Sequence, residues 1–110
     1  MALRVARVKK VRWPVSVSIP QDGGTVKIHK FTAEFELPTQ KEHDDLIRSG
    51  DDLQARVFVG GEDLQDTNGE PAEYSEALKA ELLETSYIRA ALNGAFYEAF
   101  YGRKAERKNV

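Results

Sequence analysis

The chain has 110 residues, of which 41% are apolar and 31% are charged, and this size and composition predict a single domain with one modest core. It contains no cysteine, which excludes disulfides, thiolate catalysis and zinc sites built on cysteine. No apolar run near the N-terminus is as long as a signal peptide or a membrane span requires, so we expect a cytosolic protein.

The net charge of −2 conceals a strong segregation of charge along the sequence. Residues 34–84 hold 15 of the 18 acidic residues but only four of the 16 basic ones. Either the basic ends fold back onto the acidic middle, or identical subunits associate head to tail through complementary charges; we favour the first interpretation. Within the single domain we expect residues 1–12 to be a basic, flexible arm and residues 103–110 to be a basic tail.

Residues 13–37 carry the pattern of a β-hairpin. Every second residue from Trp13 to Ile19 is apolar, which is the period of a half-buried strand. Pro14 cannot donate a hydrogen bond to a neighbouring strand, so this strand should lie at an edge. A turn-forming segment with two glycines follows at residues 20–24.

The returning strand changes its apolar parity near His29. Val26 and Ile28 lie on one face, whereas Phe31 and Phe35 lie on the other. We favour a β-bulge that restores one apolar face, and the alternative is a strand that is covered on both sides.

The acidic middle begins with a short helix. Thr39 and Glu42 match a capping box, and the helix they start should turn Leu46 and Ile47 inward and end near Gly50. Residues 51–60 fit both a strand and a helix; an aspartate at the start and two glycines at the end favour a helix.

The segment of residues 60–75 is irregular. Its Asn68-Gly69 pair predicts a turn, and a calcium loop does not fit, because Leu64 and Ser75 would occupy ligand positions.

The sequence ends in two helices. Ser75 should cap the first, which runs to about residue 84 and buries Leu78, Leu82 and Leu83. Thr85 and Ser86 interrupt the helical pattern and can cap the second.

The last helix, residues 86–101, is the best-defined element. Its apolar face has residues three and four apart throughout: Ile88, Ala91, Leu92, Ala95, Phe96, Ala99 and Phe100. Gly94 in its middle predicts that another element packs close to the backbone there. The whole pattern predicts an α+β fold, with an N-terminal β-hairpin followed by three or four short helices, of which the last is the longest.

No pattern of catalytic or metal-binding residues is present. The carboxylates form no distinctive pair, no serine lies in a nucleophile elbow, and His29 and His43 have no second ligand at a metal-binding spacing. We therefore expect neither an enzyme nor a cofactor. A nucleic-acid-associated domain, which would use the basic arm and Trp13, is the alternative to a protein-binding domain.

The C-terminal half combines an acid-and-glycine turn, an aromatic-serine helix start, a leucine pair, an arginine-bearing last helix and a terminal Lys-Asn. These motifs occupy residues 66–75, 82–83, 87–92, 95–99 and 108–109. In order and spacing they resemble the tail assembly chaperones of long-tailed phages. One departure is Gly61, where the family pattern has a tryptophan.

The resemblance implies a homo-oligomeric protein of the bacterial host's cytoplasm that is absent from the finished virion. It would bind the long, largely helical tape measure protein and keep it soluble until tail tube subunits polymerise around it. In the family, a longer frameshifted form recruits the tail tube protein. Neither a membrane nor a nucleic acid is expected as a partner.

Helix capture is the mechanism that this function requires, because an apolar helical client exposes surface that otherwise aggregates. We expect the contacts to come from the last helix, with Arg89 and the basic tail setting the orientation of the client. The candidate contact residues are Arg89, Leu92, Phe96, Tyr97, Phe100 and Tyr101. Phe96 and Phe100 also fit a core, and exposed tyrosines fit either an interface or the rim of a core.

Overall fold

The structure is a computed structural model that describes residues 7–66 and 68–104. In this part of the chain the elements follow the order β1 (Lys10–Pro20), β2 (Val26–Glu36), α1 (Gln40–Arg48), α2 (Leu53–Val57), β3 (Phe58–Glu62), α3 (Glu76–Glu84) and α4 (Ser86–Phe100). The predicted α+β fold is confirmed, and the last helix is the longest.

The predicted hairpin is confirmed as an antiparallel pair of long strands. β1 and β2 pair continuously from Lys10 opposite Glu36 to Pro20 opposite Val26. The strand order is β1-β2-β3, so β1 lies at an edge, as Pro14 predicts. The inner face of the sheet buries Val15 and Phe35 with their alternate neighbours, and α4 packs against β1.

The predicted β-bulge near His29 is wrong. Pairing of β2 with β1 continues there without a shift, and the only irregularity reported for β2 lies between Glu34 and Phe35, in its pairing with β3. The alternative of a strand covered on both sides is also wrong, because Val26 and Ile28 are exposed on the outer face. The apolar residues of β2 therefore do switch from the outer to the inner face along the strand, and Val26 and Ile28 are left in solvent near the hairpin turn.

The predicted helix over residues 51–60 is half right. Asp52 caps α2 as expected, but the chain leaves the helix after Val57 and enters β3, which adds a third strand to the sheet. The two glycines lie inside β3 instead of ending a helix. A Cβ at Gly61 would lie 2.9 Å from the Thr32 carbonyl oxygen, so close approach of β2 requires glycine at this position.

The capping box of α1 is confirmed, because Thr39 Oγ1 accepts from the Glu42 amide at 3.2 Å and Glu42 Oε1 accepts from the Thr39 amide at 2.9 Å. The helix ends at Arg48, just before Gly50, which has φ 77°. Its inward face differs from the prediction, since Ile47 is exposed and His43 is the buried residue.

The irregular segment before α3 contains the predicted turn. Asp66 Oδ1 accepts hydrogen bonds from the amides of Asn68 at 2.9 Å and Glu70 at 3.0 Å, and Gly69 has φ 79°. Ser75 then caps α3, which buries Leu78, Leu82 and Leu83 as predicted.

The apolar face of α4 lies on the core as its spacing predicts, but two details of this helix were predicted wrongly. Thr85 makes no side-chain cap, because its hydroxyl instead lies 3.4 Å from the Glu81 carbonyl oxygen. Gly94 has no close neighbour, since a Cβ there would meet nothing within 4 Å. Its backbone faces open space, so crowding inside this chain does not explain the glycine.

We predict opposite effects of alanine at two glycines that both have room for a Cβ. Gly94→Ala should raise the free energy of unfolding by about 0.5–1 kcal/mol, because alanine restricts the unfolded chain and favours a helix. Gly50→Ala should lower it by about 1 kcal/mol or more, because the φ of 77° at Gly50 is unfavourable for alanine. Urea denaturation of dilute protein measures both, and a loss of stability in Gly94→Ala would contradict the open environment at that position.

Candidate functional site

The C-terminal end of α4 carries a cluster of aromatic rings that spans from the core to the surface. Phe96 packs edge-on against Phe35 of β2, with ring centroids 5.7 Å apart, and stacks on Phe100 at 5.3 Å. Tyr97 stacks on Tyr101 at 5.9 Å. The cluster therefore joins a buried half to an exposed half within one helix.

His43 of α1 completes this cluster, although its isolation in the sequence suggested an ordinary surface or strand residue. Its ring lies 5.0 Å from that of Phe100, and its Nε2 is 2.7 Å from the Tyr97 hydroxyl. Its Nδ1 is 3.0 Å from Asp44 Oδ1, and this hydrogen bond lowers the pKa of Asp44. His43 lies three residues before half-buried Leu46, so helical spacing from Leu46 could have identified it.

Two of the predicted contact residues lie in the core. Leu92 and Phe96 are 0% exposed, so neither can contact a partner in this structure. Phe100 is half-buried between Phe96 and His43. The amphipathic pattern identified the correct face of α4 for packing, but that face is used inside the domain.

Tyr97 is also engaged within the chain. Its ring is half-buried and its hydroxyl is bound to His43, while burial raises the pKa of that hydroxyl. Tyr101 differs, because it is 51% exposed, although its ring contacts those of Tyr97 and Phe100 and the guanidinium of Arg103 lies 5.5 Å from its ring centroid. Of the two tyrosines predicted as contacts, Tyr101 is the accessible one.

Arg89 holds three elements together. Its Nε donates to the Leu83 carbonyl oxygen of α3 at 2.9 Å, and its Nη1 donates to Asp52 Oδ1, the cap of α2, also at 2.9 Å. The hydrogen bond from Arg89 is the main cause of the lowered pKa of Asp52, and the same bond raises the pKa of Arg89. We therefore assign Arg89 a structural role at the junction of these helices.

Four exposed residues of α4 and its C-cap form a stripe of uncharged side chains beside half-buried Glu98, and the sequence pattern did not single this stripe out. Tyr87 is 38% exposed and was predicted neither as core nor as a contact. Ala90 and Gly94 are exposed between Tyr87 and Tyr101. We call Tyr87, Ala90, Gly94 and Tyr101 the outer stripe. Spacings of three, four and seven residues place them on one side of the helix.

The basic residues before and within β1 pair with acidic residues of the middle segment. Arg12 Nη1 lies 2.9 Å from Glu62 Oε1, Lys10 Nζ lies 3.6 Å from Glu34 Oε1, and Arg7 lies 3.7 Å from Glu42. These contacts support the interpretation that a basic end folds back onto the acidic middle. Residues 1–6 of the predicted arm and 105–110 of the predicted tail lie outside the described residues.

Trp13 is not available as a stacking platform. Its ring packs against the core and its Nε1 donates to Glu98 Oε1 of α4 at 3.0 Å. The indole of Trp13 and the side chains of Lys10 and Arg12, which the nucleic-acid alternative would use, are thus all bound within the chain.

A groove of about 400 Å³ lies between the segment before β1, α1 and α2. Its charged lining mixes both signs, with Arg7 paired to Glu42 and Arg56 3.8 Å from Glu36. The pKa of Glu42 is lowered, chiefly by its hydrogen bond from the Thr39 backbone. Both arginines of the groove are therefore paired with carboxylates of the same chain.

In residues 7–66 and 68–104, no three histidine or carboxylate side chains gather where they could hold a metal ion. No helix of this part of the chain is long and apolar enough to cross a lipid bilayer.

Comparison with known protein families, curated proteins and solved structures finds no match to this chain. Its function must therefore be argued from the surface itself.

We predict that Tyr97→Phe destabilises the domain by about 1–2 kcal/mol, because it leaves the buried His43 Nε2 without its partner. Tyr101→Phe is the matched control, since it removes the hydroxyl of an exposed tyrosine one turn away and should change stability by less than about 0.5 kcal/mol. Chemical denaturation measures both, and equal effects of the two substitutions would show that the His43 contact contributes nothing.

We predict an acid-dependent effect at Asp52. Its folded-state pKa is lowered by Arg89, so the ion pair contributes stability above the unfolded pKa of about 4, and this contribution is lost as the pH falls through the folded pKa. Asp52→Asn should therefore cost up to about 1 kcal/mol at neutral pH and nothing in strong acid, because both partners are partly exposed.

Asp52→Ala separates the charge from the cap. It also removes the oxygen that accepts from the Ala55 amide, so a further loss of about 1 kcal/mol should persist at every pH. Thermal unfolding across the acid range measures the two variants. A loss in Asp52→Asn that does not vary with pH would contradict a role for the charge of Asp52.

Proposed function

We propose that this protein is a tail assembly chaperone of a long-tailed phage or prophage, which binds the tape measure protein and keeps it soluble while the tail tube assembles. The observation that carries the proposal is the outer stripe, a partly aromatic stripe of uncharged side chains along α4 that faces solvent. Exposed aromatic surface on a small domain is typical of protein-binding sites. The motif resemblance of the C-terminal half supplies the class of client.

The outer stripe suits a helical client for geometric reasons. Tyr87 and Tyr101 provide aromatic contacts near the two ends of α4, and Ala90 and Gly94 leave a shallow seat between them. A helix that crosses α4 at Gly94 can approach its backbone closely and cover both tyrosines. The contact area for one copy is small, so binding to one site should be weak and reversible.

Weak binding fits a protein that must leave its client. A long helical client offers many sites, so many copies could coat it, and polymerising tube subunits could displace them one at a time. This function places the protein in the cytoplasm of the bacterial host and keeps it out of the virion. The tail tube protein is then a second partner, at the stage when the chaperone is displaced.

The set of contact residues is smaller than the sequence indicated. Tyr101 remains, Tyr87 joins it, and Leu92 and Phe96 are removed because they are core residues. Phe100 and Tyr97 support the exposed tyrosine from below. Arg89 acts through the fold, by fixing the N-terminal half of α4.

Co-expression with the tape measure protein of the same gene cluster tests the proposal. The wild-type chain should keep that protein in the soluble fraction and co-purify with it after nuclease treatment. Tyr87→Ser combined with Tyr101→Ser should abolish both effects while thermal stability changes little, because both side chains are exposed.

Ser16→Ala combined with Ser18→Ala, on the outer face of β1, is the control and should leave both effects intact. Client solubility that is unaffected by the tyrosine pair would remove the outer stripe from the proposal. A gene neighbourhood without phage structural genes would contradict the proposed function itself.

A further inference from the structure

The outer stripe has a second property, which is its symmetry about Gly94. Tyr87 lies seven residues before Gly94 and Tyr101 lies seven residues after it. Seven residues of α-helix span about 10.5 Å and nearly two full turns, so both tyrosines lie almost in line with the glycine. A helix that carries the same stripe and runs in the opposite direction therefore brings a tyrosine opposite each of them.

The charges at the two ends of α4 are also arranged for an antiparallel copy. Glu81 and Glu84 are exposed at the end of α3, which stops one residue before α4 begins. Arg103 and Lys104 are exposed just after α4 ends. When two copies of α4 run antiparallel, the basic end of each lies beside the acidic end of the other.

From these observations we infer that a second copy of this chain occupies the outer stripe, with the two α4 helices antiparallel and crossing at Gly94. This arrangement makes an isologous two-fold interface, in which Tyr87 of each copy meets Tyr101 of the other. Gly94 lies on the two-fold axis, where a Cβ would meet nothing within the chain and where the absence of a side chain lets two backbones approach. In the dimer, the second copy of α4 fills the open space over this glycine.

The dimer should be weak, because its interface is small. A stripe of four residues covers less than the roughly 800 Å² per partner of a standard stable interface. The dimer and a helical client need the same surface, so they exclude each other. The dimer is then the resting form of the protein, which shields the outer stripe until a client is made; this role, unlike the dimer itself, rests on the proposed function.

Analytical ultracentrifugation of the pure protein over a wide concentration range tests the dimer. A reversible monomer–dimer equilibrium is expected, and a monomer at every concentration would overturn the inference. Gly94→Leu should raise the dimer dissociation constant about tenfold or more, because the side chain holds the helices apart. Ser16→Leu, at an exposed position on the outer face of β1, is the control and should leave the constant unchanged.

Charge reversal tests the ends of the interface. Arg103→Glu combined with Lys104→Glu should weaken the dimer, and adding Glu81→Lys and Glu84→Lys to the same chain should restore it. Failure of the second pair to restore dimerisation would contradict the antiparallel contact. Circular dichroism confirms that each variant is folded.

Disulfide trapping decides the orientation, and the absence of cysteine from the chain makes each introduced thiol unique. Gly94→Cys should cross-link to itself under mild oxidation with copper phenanthroline, whereas Ser16→Cys, on the outer face of β1, should not. In an equal mixture, Tyr87→Cys and Tyr101→Cys should form the mixed disulfide. Formation of each variant's own disulfide instead would indicate parallel helices and overturn the proposal.

The resting role has a separate test. Co-expression with the tape measure protein should lower the yield of the Gly94→Cys cross-link, since the client displaces the second copy. An unchanged yield in the presence of bound client would reject the resting role and leave the dimer standing. A dimer that forms in pure protein without any effect on client solubility would instead reject the proposed function.

Discussion

The packing of α4 on the sheet is the interaction on which the rest of the structure depends. Phe96 of α4 meets Phe35 of β2, and Phe35 lies 6.3 Å from Phe58 at the start of β3, with all three side chains fully buried. These rings connect the last helix, the central strand and the third strand in one contact chain. Because Phe96 turns inward, the opposite side of α4 must face solvent, and the outer stripe is the geometric consequence of the core.

A second layer of contacts fixes how α4 lies on the sheet. Near its N-terminus, Arg89 ties it to α2 and α3, while near its C-terminus the Tyr97 hydroxyl ties it to His43 of α1. On the sheet side, Glu98 accepts from the indole of Trp13. Each polar tie joins α4 to a different element, so the helix is held along its length as a rigid platform instead of by its apolar face alone.

The elements that follow from local chemistry were predictable from the sequence. The capping box at Thr39, the Ser75 cap, the alternation in β1 and the three-and-four spacing of α4 all depend on neighbours in the chain, and all are observed. The third strand was missed because residues 53–59 fit both periods, and only the approach of β2 to Gly61 decides between them. That contact joins residues distant in sequence, so no local pattern reports it.

The candidate site was predicted less well for the same reason. Amphipathic spacing identifies the apolar face of α4, yet it does not say whether a sheet or a partner covers that face. Here the sheet covers it, so Leu92 and Phe96 are core residues, and the contact residues that we propose lie on the opposite side of the helix. The close packing that Gly94 predicted is not found within the chain, because the space over this residue is open.

Pro14 affects whether the sheets of two copies of this protein can pair edge to edge. It removes one backbone donor from β1, the long edge of the sheet. The opposite edge, β3, has only five residues, and two of them are glycines. Neither edge is a good template for adding strands. Under the proposed function, many copies lined up along one client would therefore stay separate molecules, each held to the client by its own α4, and would not join into a continuous sheet.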